Sequence, residues 1–155
     1  SSAASDVYKR QFVYCNSLSS VVDFDRLATE HNIKIVTPMQ MYRNLGLEYK
    51  YLAVMAANSH GLTGVENNLY VSNPSLRVLG LSMLELVKAI EEENRPEKIV
   101  KDFNFEVLFN YFEQTKVEAV VLGCTHFPYI KKELEKITNL PIIDVGVFMI
   151  NSMEK

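Results

Sequence analysis

Short apolar runs alternate with helix-patterned stretches along nearly the whole chain, and this most constrains what it can fold into. The runs are Phe12-Val13-Tyr14, Ile33 to Val36, Lys50 to Ala57, Leu76 to Leu79, Val117 to Leu122 and Pro141 to Asp144. Between them lie stretches with apolar residues three and four apart, the spacing of one helix face. The predicted helices cover Val21 to His31, Met39 to Tyr49 and Ser59 to about Tyr70, the last capped by Asn58 or Ser59. Others run from a Ser82 cap to Glu93, from Pro96 to Phe103, from Phe105 to Gln114, and onward from Pro128 and from Phe148. Consecutive strands that are each separated by a helix run parallel, because a crossover returns the chain to the same end of the sheet. No Asn-Gly or similar tight turn joins two runs, so hairpins are not expected. The expected class is α/β with parallel sheet.

Composition narrows the function. The 155 residues can bury a real core. A 48% apolar and 23% charged make-up fits a globular chain. No run approaches the roughly 18 apolar residues of a membrane span. Sixteen basic residues against 19 acidic ones give no basic patch for nucleic acid. Two cysteines and three scattered histidines suit neither a disulfide scaffold nor a zinc site, so no metal is expected. The first residues, Ser1 to Gln11, are polar and unpatterned, with no signal peptide. Asp6 to Gln11 resembles the translated end of a sequencing adapter, so Ser1–Gln11 is expected to be a cloning scar outside the fold. The absence of a secretion signal fits a reducing, cytoplasmic setting for free thiols.

The two cysteines occur in matching surroundings. Phe12–Ser20 and Val120–Tyr129 both read as an apolar strand, a cysteine, two polar residues and a helix start. Ligands of open parallel sheets bind at the carboxyl ends of strands. A helix start also offers unpaired N–H groups and a dipole that favours negative charge, which lowers a thiol pKa. Asn16, Ser17, Thr125 and His126 supply short polar groups beside the thiols. Three plainer readings stand beside this one. A strand-end cysteine is often a small buried hydrophobe. Cys15 and Cys124 could pair as a disulfide. A single elbow could be a hydrolase nucleophile, with His126 as its base.

Phe12-Val13-Tyr14-Cys15-Asn16-Ser17 with the following helix and Ile33–Val36 resembles the first cysteine segment of the cofactor-independent aspartate/glutamate racemases. Val121-Leu122-Gly123-Cys124-Thr125-His126-Phe127-Pro128 resembles their second and more specific segment, and Ile142-Ile143-Asp144 the strand after it. The resemblance implies two parallel-sheet α/β domains facing a cleft, with one cysteine on each side of a substrate α-carbon. One thiolate would remove the α-proton and the other thiol would protonate the opposite face, with no cofactor. Cys15 and Cys124 would be the acid/base pair, and His126 would assist Cys124. Asn16, Ser17 and Thr125 would bind the carboxylate or amino group, Ser17 standing where the family more often has threonine. Glu91 falls where relatives carry an acidic helper, but it also reads as one of a solvated run with Glu92 and Glu93.

Two departures stand out. Asn58-Ser59-His60-Gly61 replaces the usual threonine-containing loop, which makes Asn58 and His60 candidate site residues and weakens the case for glutamate specificity. The family's Asp-Ser motif and Pro-Tyr-Gly loop are not found in this sequence. The resemblance therefore implies a chain entering midway through the first domain, which would be incomplete. The domains are expected at 12–49 (partial first), 50–138 (second) and 139–155 (return to the first). The partner is a small amino acid, glutamate or aspartate, with no nucleic acid or membrane and with a homodimer left open. The runners-up are a related isomerase or decarboxylase and a non-catalytic protein that binds acidic amino acids.

Overall fold

The computed structural model describes residues 10–13, 15, 19 and 22–147, the first three as backbone only. The expectations for Tyr14, Asn16, Ser17 and the helix from Phe148 lie outside the described residues.

β1 (Arg10–Phe12) pairs in parallel with β2 (Lys34–Val36), and Val13 extends the ladder by donating its N–H to the Val36 carbonyl at 3.0 Å. The strand thus starts two residues earlier than the sequence suggests. Arg10 and Gln11, expected to stand outside the fold, pair with Lys34 and Ile35. Between the strands, α1 (Phe24–His31) begins three residues later than expected, because Asp23 caps it by accepting from the Arg26 N–H at 3.0 Å.

The larger unit is a four-stranded parallel sheet in the order β4-β3-β5-β6. Its strands are β3 (Tyr51–Ala56), β4 (Arg77–Ser82), β5 (Ala119–Gly123) and β6 (Ile142–Asp144). Both faces are covered. On one side α2 (Pro38–Glu48) and α3 (Ser59–Ser72) pack over Leu52, Val54, Ala119, Val121 and Ile143. On the other, α4 (Leu84–Glu91), α5 (Pro96–Asp102) and α6 (Phe105–Gln114) pack over Ala53, Met55, Val120 and Leu122. Alternate residues of β3 and β5 enter opposite cores, which is why both strands read as unbroken apolar runs. Among the described residues, no helix is long and apolar enough to cross a membrane.

Packing and pairing cross both expected domain boundaries. Met39, Tyr42 and Leu45 of α2 share a core with β3 and β5, so the division at residues 49 and 50 would cut through a buried cluster. Gly46 makes this packing possible, since a Cβ there would lie 2.6 Å from the Leu69 carbonyl oxygen of α3. β6 was expected to return to the first domain. Instead it pairs with β5, Val120 beside Ile142 through Leu122 beside Asp144.

Ser82 is not a helix cap. The β3 ladder carries β4 through Ser82, opposite Ala56, and Met83 then donates to the Ala56 carbonyl at 2.8 Å. The segment at Pro128 is a 3-10 turn (Phe127–Ile130), tightened by an N–H from Tyr129 to the His126 carbonyl at 3.2 Å. A short α7 (Lys131–Glu135) follows.

Candidate functional site

The order of connections fixes where a ligand can sit. From β3 the chain crosses one face through α3 to reach β4. It then returns across the other face through α4, α5 and α6 to reach β5, on the opposite side of β3. The carboxyl ends of β3 and β5 therefore flank a topological switch point, where loops diverge and leave a crevice. Gly123 closes β5 against β3. A Cβ there would lie 2.9 Å from the Met55 carbonyl oxygen, so the elbow carrying Cys124 needs a residue without a side chain just before it.

Cys124 follows directly and is 8% exposed. Its Sγ lies 3.7 Å from Nδ1 of His126. The other ring nitrogen of His126, Nε2, lies 3.2 Å from Oε1 of Glu91 at the end of α4. Thiol, imidazole and carboxylate thus form one chain across the crevice. The carboxylate orients the ring and fixes which nitrogen faces the sulfur.

Burial is the main influence on Cys124 and pushes its thiol above the ordinary cysteine range. The backbone N–H groups of His126 and Phe127 oppose this by stabilising the thiolate. The charges of Cys15 and Glu91 add to the rise. At neutral pH Cys124 is therefore a thiol, suited to giving a proton before it takes one. Because folding raises this pKa, its contribution to stability is full below the unfolded value of about 8.5 and fades as pH climbs through the folded one. Alkylation of native Cys124 by iodoacetamide, followed by peptide mass spectrometry, should rise at higher pH than in the unfolded chain. Coincident profiles would contradict this.

The remaining candidates divide clearly. Cys15 is exposed with a free thiol, and it is one of the weaker influences that raise the Cys124 thiol. Its carbonyl accepts from the Ser19 N–H at 3.0 Å. Thr125 is half-buried beside Cys124. Asn58, after β3, caps α3 by accepting from the Gly61 N–H at 2.8 Å. His60 is exposed in the first turn of α3. Glu91 separates from its acidic neighbours through the 3.2 Å contact of its Oε1 with Nε2 of His126. Sequence reading gave no role to Gly123 or Tyr129. The glycine before a strand-end cysteine was the available signal for the first, whereas the second left none. Cavities of about 300 and 470 Å3 lie beside α1 and β2, and neither is lined by either cysteine. Among the described residues, no three His, Cys, Asp or Glu side chains gather as a metal site.

The chain matches curated glutamate racemases. It is 31% identical over 107 residues to that of Limosilactobacillus reuteri, covering 62% of this chain and 37% of the relative. Over 133 residues it is 26% identical to that of Actinobacillus pleuropneumoniae, covering 81% of this chain and 48% of the relative. It therefore spans less than half the length of either. No family model matches. Among solved structures, glutamate racemase from Francisella tularensis in complex with D-glutamate superposes with a TM-score of 0.73 at 21% identity, over 92% of this chain and 54% of that one. Glutamate racemase from Bacillus anthracis gives 0.68 at 14% identity. These likenesses establish the fold as the parallel α/β fold of those structures.

Proposed function

We propose that this chain belongs to an amino-acid racemase acting on glutamate or aspartate, which inverts the α-carbon by proton transfer between Cys15 and Cys124 without a cofactor. The observation that carries this reading is the Cys124–His126–Glu91 chain at the switch point. In one direction Cys15, as thiolate, takes the α-proton from one face, and Cys124, as thiol, gives its proton to the other. The product leaves the two protonation states exchanged, and the reverse reaction restores them. His126 accepts or returns the proton of Cys124, and Glu91 holds the imidazole for that exchange.

The difficulty is the weak acidity of the α-carbon. Donors that grip the substrate carboxylate as charge builds on it would lower that barrier most. Asn16, Ser17 and Thr125, beside the two thiols in sequence, are assigned that role, while Asn58 and His60 border the β3 side of the crevice. Both thiols must stay reduced, which suits the cytoplasm. The glutamate racemase relatives and the D-glutamate complex of one neighbour favour glutamate over aspartate.

The test is solvent exchange. The full chain in deuterium oxide with L- or D-glutamate, and then aspartate, should lose the α-proton signal by NMR while the opposite enantiomer accumulates. Ligand-induced thermal stabilisation with neither exchange nor inversion would replace the racemase reading with a binding protein.

A further inference from the structure

Building on that reading, we propose that Tyr129 is a positioning residue: its hydroxyl holds the turn that ends α4 and thereby keeps Glu91 on His126. The Tyr129 hydroxyl donates to the Asn94 carbonyl at 2.9 Å, joining the 3-10 turn after the second cysteine to the segment after α4. That segment is a stiff structure. The Asn94 N–H reaches the Ala89 carbonyl at 3.3 Å and the Glu93 N–H the Ile90 carbonyl at 3.0 Å, with Glu93 left-handed at φ 58°. This is the Schellman arrangement that closes a helix. Glu91 lies inside it, three residues before Asn94, so a pull on the Asn94 carbonyl is transmitted to Glu91 through a closed set of hydrogen bonds.

The tether has a mechanical reason to exist. Glu91 and His126 stand on separate elements, α4 and the turn after β5, and both side chains are substantially exposed, at 59% and 38%. An exposed ion pair gains little by itself and pays side-chain entropy to hold one geometry. Fixing the two backbones relative to each other removes much of that cost. Tyr129 sits at the far end of the same turn that starts after His126, so one hydroxyl sets the spacing for the whole chain from carboxylate to thiol. Among the described residues, Cys15, Glu91 and His126 are the titratable groups that act on Cys124. Tyr129 bears on this set through Glu91.

The experiment measures iodoacetamide alkylation of Cys124 against pH in the full chain, with the Cys15 peptide as internal reference. It compares the unaltered protein with Tyr129→Phe, Glu91→Gln and the double variant. Phenylalanine keeps the ring, and Tyr129 is 46% exposed, so the melting temperature should stay close to that of the unaltered chain. Tyr129→Phe should move the Cys124 profile in the same direction as Glu91→Gln by a smaller amount. It should have no further effect once Glu91 is glutamine. A Tyr129→Phe profile superimposable on the unaltered one, or shifts that add in the double variant, would overturn the proposal. Alkylation needs no substrate. If the coupling appears while glutamate is not inverted, the tether stands and the racemase reading falls.

Discussion

Under the proposed racemase reading, Cys124→Ala is expected to stop racemisation in both directions, by a factor of about 10² to 10⁴, the range for removing a positioned acid or base. The loss should be symmetric, because in that reading the residue that gives the proton in one direction takes it in the other. Exchange without inversion should behave differently. Cys15 remains in this variant and can still visit one face of the substrate, so slow α-deuteration should persist for the one enantiomer whose proton faces Cys15. Cys15→Ala should show the mirror preference. Measuring deuterium incorporation separately for L- and D-glutamate, alongside optical rotation, checks both halves. Equal residual exchange of the two enantiomers in either variant would contradict a two-sided mechanism. So would inversion that survives loss of Cys124.

The second large effect is on stability. Phe105, Phe109 and Phe112 are fully buried beneath the β5 side of the site. Their rings form a continuous set, with Phe109 6.1 Å from Phe105 and 5.4 Å from Phe112. Phe109→Ala removes the middle ring, leaves a cavity and breaks both contacts. Such a change costs about 3–5 kcal/mol, a large part of the roughly 5–15 kcal/mol that holds a domain folded. For a chain of this size the melting temperature should fall by roughly 10–15 °C. Tyr111→Ala is the matched control. It lies on the same helix but is 51% exposed, and should stay within about 0.5 kcal/mol of the unaltered chain. Urea denaturation of both variants decides the matter, and equal losses would show that the aromatic set is not the keystone of this face.

These residues show how much of the molecule could be read in advance. The strand-helix alternation led to parallel sheet, because apolar period and strand length are local properties. It also brought the second cysteine to a strand end. Element limits were less legible where a neighbour decided them. Ser82 reads as a good helix cap, yet Ala56 across the ladder keeps it in a strand. Domain limits were least legible. Nothing local in Met39, Tyr42 or Leu45 says which sheet they will cover, and only the close approach of α2 to α3 at Gly46 reveals it. The site followed the same rule. Cys124 and His126 are two residues apart and visible together. By local pattern Glu91 reads like Glu92 and Glu93, the family resemblance alone set it apart, and the fold then carries α4 back to His126.

The order of strands in the sheet also bears on how the chain reaches this state. β3 lies between β4 and β5, so it gains one neighbour early and waits for the other until Ala119–Gly123 has been synthesised. Such distant pairings are slow to form, and an unpaired strand edge is prone to aggregation meanwhile. The late strand is the one that Cys124 directly follows. The long-range pairing of β3 with β5 is therefore expected to bury that thiol late in folding. Its resistance to alkylation in a refolding time course would serve as a built-in clock for completion of the sheet.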